Sequence, residues 1–103
     1  MAIRQAEVRD SAGVFWLAQA FATSLAVEQP AFERAFVELL SDPKAFIAVA
    51  EVEGKVAGYI LGFEHLTFFV NGRVAWVEEI MVSEEHRRTV IGQQLMEAFR
   101  DGA

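Results

Sequence analysis

The sequence predicts an α/β (α+β) domain of β-α-α-β-β-β-α order, in which a four-stranded antiparallel sheet carries three helices. Two amphipathic stretches with helical spacing lie between the first two strand-like runs. Turn residues, Glu53-Gly54-Lys55 and Asn71-Gly72, then join β-branched and aromatic runs as successive hairpins. A last strand passes through a short polar turn into a helix over residues 77–99. No repeat, low-complexity tract or linker divides the chain, so its 103 residues are read as one domain, below the usual domain size.

Residues 3–8 alternate weakly and are expected as the first strand, with Asp10 as the N-cap of a helix from Ser11 to about Thr23. Val14, Leu17, Ala18 and Phe21 share one face of that helix, and Gly13 weakens its first turn. Pro30 announces the second helix from a first-turn position; Phe32, Phe36, Leu39 and Leu40 turn inward until Asp42-Pro43 ends it. Residues 46–52 make the second strand, and the Gly54 turn leads back into the third, residues 56–63. Gly58, inside that third strand, is read as a packing glycine. Residues 66–70 and 73–82 form the second hairpin, and the later run is strand four.

Composition excludes several classes of function. The chain is 53% hydrophobic, yet charged residues or glycine interrupt every apolar run before it reaches a membrane span. The start, MAIRQAEVRD, has no apolar h-region of a signal peptide. The absence of cysteine removes disulfides and thiolate chemistry, and a cytoplasmic location is expected. A net charge of -6 opposes nucleic-acid binding, which needs a basic stripe against the phosphates. Only two histidines occur, His65 and His86, far apart in sequence, so no metal site is expected.

Positive charge gathers where the last strand meets its helix. Arg87, Arg88, Thr89 and Gly92 surround a helix start, whose unpaired N–H groups and positive dipole end attract phosphate. Arginines sit poorly there unless an anion is present. The stretch Ile80-Met81-Val82-Ser83-Glu84-Glu85-His86-Arg87-Arg88-Thr89-Val90-Ile91-Gly92-Gln93-Gln94-Leu95 resembles the acetyl-CoA motif of the GNAT superfamily of N-acetyltransferases, which usually reads L-x-V-x-P-x-[YF]-[RQ]-G-x-G-[IV]-[GA]-x-x-L. Ile80, Val82, Arg87, Ile91, Gly92 and Leu95 fit. Glu84 replaces the usual Pro, His86 the aromatic, Arg88 a common Gly, and Val90 the first Gly of the signature. The two helices between strands one and two are also how that fold opens.

The resemblance implies acetyl-CoA as co-substrate and an amine as acceptor, with no metal. Met81 and Val82 would offer strand backbone to the pantetheine arm. Arg87, Arg88, Thr89, Val90, Ile91 and Gly92 would surround the pyrophosphate, with Val90 weakening the fit because it adds bulk and excludes positive φ. Acetyl transfer to an amine needs a base, and Glu78 and Glu79 occupy the strand-four positions from which many members recruit it. Alternation lets only one of them face the cleft. Glu79 is preferred, because Trp76, Glu78 and Ile80 would share a face whose two large apolar side chains pack into the core. Glu64 and His65 are weaker candidates for contacting the acceptor. Ile91, Leu95 and Phe99 are read as core.

The family fold continues past the third helix with a fifth strand parallel to the fourth, a helix and two more strands, and often with a tyrosine as general acid. Tyr59, the one tyrosine here, lies in strand three and does not match that position. The sequence is therefore read as a truncated domain over residues 1–103 with the C-terminal half of the fold absent. Two functions follow: an N-acetyltransferase acting on a primary amine, or a degenerate module that works by binding CoA or by association. Strand four, with neither proline nor lysine to protect its edge, implies a homo-oligomer.

Overall fold

A computed structural model describes residues 1–21, 28–68 and 72–102, without the side chains of Phe21 and Arg73. Its elements are β1 (Ala2–Gln5), a 3₁₀ turn (Val8–Asp10), α1 (Ser11–Phe21), α2 (Gln29–Ser41), β2 (Ala45–Val52), β3 (Lys55–Leu66), β4 (Arg73–Val82), a second 3₁₀ turn (Glu84–His86) and α3 (Ile91–Gly102). The four strands lie in the order β1-β2-β3-β4, every neighbouring pair antiparallel. The expected order of elements and the four-stranded antiparallel sheet are therefore present.

Turn chemistry accounts for the sharpest features. Glu53 and Gly54 both have positive φ, 51° and 79°, and Val52 pairs with Lys55 across them, as a two-residue hairpin turn demands. Pro30 stands in the first turn of α2, where its missing N–H costs nothing, and Asp42 closes that helix by donating its N–H to Leu39 O at 3.2 Å. The second hairpin differs from expectation. β3 runs unbroken through Leu66, which pairs directly with Arg73, so no separate strand begins at residue 66. Val70 and Asn71 lie outside the described residues, as does the expected end of the first helix at Thr23.

The start of the chain also departs from the sequence reading. β1 stops at Gln5, Val8 enters the 3₁₀ turn, and the Asp10 carboxylate does not cap α1. Asp10 is only 4% exposed and accepts two hydrogen bonds from the Arg4 guanidinium at 2.8 Å and one from the Glu7 N–H at 2.7 Å. Burial by itself would raise its pKa; the Arg4 hydrogen bonds and the Glu7 amide outweigh that and hold the carboxyl below its ordinary range. Arg4 also reaches Glu51 at 2.7 Å, so one cation ties β1, β2 and the entry to α1 together.

The sheet is covered on both faces. Val14 and Ala18 of α1 and Phe36 of α2 pack on Val49 and Tyr59, with Met81 beside them. On the other face Ile91, Leu95 and Phe99 of α3, at i, i+4 and i+8, pack on Ala48, Ala50, Ala57 and Ile60. Their side chains are buried, which is the core role expected of them. Fully burying each contributes about 1.5–3 kcal/mol. The alanines, with Gly58 and Gly62, let α3 lie close to the strands: a Cβ on Gly58 would stand 3.0 Å from Met81 O and 3.2 Å from Leu95. Gly58 is thus a packing glycine, as expected.

Candidate functional site

The candidate site is the outer edge of β4 and the turn that follows it. Near the middle of β4 the register with β3 shifts: Leu61 pairs with Glu79 but Gly62 pairs with Val77, leaving Glu78 as the extra residue of a bulge. A bulge cancels simple alternation. Val77 and Ile80, three residues apart, therefore both pack with α3, while Trp76 is left 56% exposed. The expected grouping of Trp76 with Ile80 on one core face is corrected by this shift. Glu78 is exposed in the bulge. Glu79 is half-buried and turns to the α1–α2 face, where Tyr59 Oη donates to its Oε1 at 2.8 Å.

Burial first, and then the bond to Glu79, push the Tyr59 phenol above its ordinary pKa, so it remains a hydrogen-bond donor throughout the physiological range. Glu79 has no cationic partner among the described residues. The carboxylate is thus fixed through one oxygen and uncompensated in charge. Glu64 and His65, the weaker acceptor candidates, lie near the far end of β3 and do not join this group.

Ladder geometry determines which backbone groups the edge offers. Ser83 donates its N–H to Ala57 O at 2.7 Å, and from there the pairs Gly58–Val82, Tyr59–Met81 and Ile60–Ile80 follow in register. Hydrogen-bonded and non-hydrogen-bonded pairs alternate in an antiparallel ladder. Met81 is therefore bonded into β3, and Ile80 and Val82 direct their N–H and C=O groups outward. Val82 O accepts from Arg87 Nε at 3.3 Å. Ile80 is a residue that sequence reasoning did not assign to the cofactor edge; its spacing of two from Val82 was the available signal.

Beyond the strand the chain makes a polar turn held by its own side chains. Ser83 Oγ lies 2.8 Å from His86 Nδ1, and Thr89 Oγ1 donates to His86 O at 2.6 Å while accepting the Ile91 N–H at 3.3 Å. Val90 O receives the Gln94 N–H, so the N–H groups of Gly92 and Gln93, in the first turn of α3, have no intrahelical acceptor. Arg88 is exposed and has no carboxylate partner among the described residues. Its φ is 68°, the left-handed region that costs a non-glycine residue roughly 1–2 kcal/mol. Positive φ thus falls on Arg88 and not on Val90, and the Val90 side chain, 56% exposed, enters the site only as bulk. The Ile91 side chain is in the core, leaving its backbone at the turn.

No helix among the described residues is long and apolar enough to cross a membrane, and no group of histidine, cysteine or carboxylate side chains among them could hold a metal ion.

The model of the Acetyltransferase (GNAT) family matches residues 9–102. Glucosamine-6-phosphate N-acetyltransferase from Arabidopsis thaliana is 27% identical and superposes with a TM-score of 0.82 over 97% of this chain and 71% of its own. Ribosomal-protein-alanine N-acetyltransferase from Brucella melitensis biovar Abortus 2308 is 26% identical, with a TM-score of 0.78 over 99% of this chain and 70% of its own. An acetyltransferase from Vibrio fischeri, 24% identical, shares the fold with a TM-score of 0.78, covering 99% of this chain and 85% of its own. No curated protein matches the sequence.

Proposed function

Because the chain belongs to the Acetyltransferase (GNAT) family, we propose that it transfers an acetyl group from acetyl-CoA to a primary amine. The observation that carries this reading is the juxtaposition of three things on one strand and its turn. They are the outward backbone groups of Ile80 and Val82, the helix-start amides beside Arg88 that lack an intrahelical acceptor, and the Glu79 carboxylate one residue from Ile80. Two relatives above 25% identity are named N-acetyltransferases, which supports an amine acceptor.

In this reading the amides of Gly92 and Gln93, with Arg87 and Arg88, hold the pyrophosphate, and the β4 edge holds the pantetheine arm as an added strand would be held. Glu79 takes a proton from the acceptor ammonium, Tyr59 keeping the carboxylate in place. The neutral nitrogen attacks the thioester carbonyl carbon; the C–N bond forms, the C–S bond breaks, and the second amine proton leaves with the thiolate as CoA-SH. Outward amides of the β4 edge polarise the carbonyl. A cytoplasmic setting belongs to the same reading, on the cysteine-free composition.

Calorimetry with acetyl-CoA and release of thiol across a panel of amines test it. Binding is expected to be weak, and Val90→Gly, which removes only bulk, to tighten it severalfold. Absence of heat from both proteins would sink the cofactor assignment. Heat without turnover on any amine would favour the second reading, a CoA-binding module that does not catalyse, for which Val90 in place of the signature glycine is the motivating residue.

The β4 edge has a single neighbour among the described residues, and Trp76 lies 56% exposed on it. A second copy pairing there would satisfy the outward groups, so the protein is proposed to be at least a dimer. Light scattering after size exclusion is expected to give twice the chain mass. Acetyl-CoA, competing for Ile80 and Val82, is expected to shift it toward monomer; a monomer at every concentration would overturn the proposal.

A further inference from the structure

Between α2 and the sheet lies a cavity of about 150 Å³. Phe32, Ala35, Phe36 and Leu39, at i, i+3, i+4 and i+7, form its α2 wall. Its sheet wall includes Tyr59 and Leu61, and Glu79 is the one charged residue among its lining. Ala35 is exposed and Phe32, Leu39 and Glu79 are half-buried, so this space opens to solvent, while Phe36, Tyr59 and Leu61 are buried at its base. A space of about this volume admits a molecule of benzene's size. Here, however, a carboxylate stands at the wall. It is fixed by Tyr59 at 2.8 Å and lacks a cation among the described residues. The complementary occupant is amphipathic: a cation at one end and a compact hydrocarbon at the other.

We infer that the acyl acceptor is a primary amine bearing a compact apolar substituent, its ammonium held at Glu79 and its hydrocarbon seated in the cavity between α2 and the sheet. This rests on the acetyl-transfer reading and narrows it to a substrate class. The arrangement places the nitrogen beside the β4 edge, next to Ile80, where the thioester would lie. Larger polar acceptors, such as sugars or extended peptides, would leave their hydroxyls and amides unpaired against Phe32, Phe36 and Leu61.

The test compares ethylamine, butylamine and benzylamine as acceptors, together with an NMR titration of benzylammonium chloride in the absence of acetyl-CoA. Each buried methylene should lower KM about fourfold, so butylamine should be favoured over ethylamine about 16-fold. In Ala35→Leu, where the native side chain is small and exposed, the added bulk should fill the cavity and bring that preference to within about threefold. The titration should shift the Tyr59 and Phe36 resonances in the native protein and leave them unmoved in Ala35→Leu. Turnover with no dependence on chain length, or a preference that survives Ala35→Leu, overturns the apolar acceptor and leaves acetyl transfer standing. Benzylammonium shifts abolished by Ala35→Leu, with no amine acetylated, support the site and overturn acetyl transfer instead. Absence of both shifts and turnover overturns the inference.

Discussion

Glu79→Gln is expected to lower kcat for acetyl transfer about 10²–10³-fold, whereas Glu78→Gln should change it by less than about threefold. The two residues are adjacent and chemically identical, so the difference is one of placement. Glu78 is the extra residue of the β4 bulge and is exposed. Glu79 is half-buried on the α1–α2 face, with one oxygen fixed by Tyr59. An amide retains the shape and accepts the Tyr59 hydrogen bond but takes no proton, so the loss should appear in kcat with little change in acetyl-CoA affinity. Steady-state thiol release on the purified variants reads both parameters. A larger loss in Glu78→Gln would move the base to the bulge, and turnover indifferent to both would remove carboxylate base catalysis from this strand.

Leu95→Ala is expected to destabilise the fold by about 3 kcal/mol, a large share of the stability of a domain this small. Leu95 is fully buried and stands at the centre of the α3 contact with Ala48, Ala50, Ala57 and Ile60. Small residues opposite it cannot swing in to fill the space it leaves, and the helix is held near the strands by Phe99 against Gly62. A Cβ there would stand 2.2 Å from the Phe99 ring, so the contact is already tight. The urea midpoint should fall with the slope unchanged. A shift below about 1 kcal/mol would mean that α3 can settle onto the sheet, and the account of close alanine packing would fail.

The sequence by itself determined the order of elements, the hairpin turn at Gly54, the inward side chains of Val14, Ala18, Phe36, Ile91, Leu95 and Phe99, the packing role of Gly58 and the family resemblance at Ile80 to Leu95. These are properties of nearest neighbours along the chain: apolar spacing, positive-φ turns at Gly54, proline at a helix start, a basic turn before an apolar helix face. Other features depend on how strands meet, and only the tertiary structure decided them. The bulge at Glu78 broke the alternation on which Trp76 had been grouped with Ile80, because one inserted residue reverses every side chain beyond it. Pairing parity with β3 turned Ile80 and Val82 outward and Met81 inward. Asp10 left its capping role for Arg4 because burial without a cation would have been costly. Tyr59 and Glu79, 20 residues apart, became partners because Leu61, two positions along from Tyr59, pairs with Glu79, which brings both side chains to one face of the sheet. Local spacing shows which face a residue favours, but a register is a relation between two strands, and it is fixed only when both have folded against the same core.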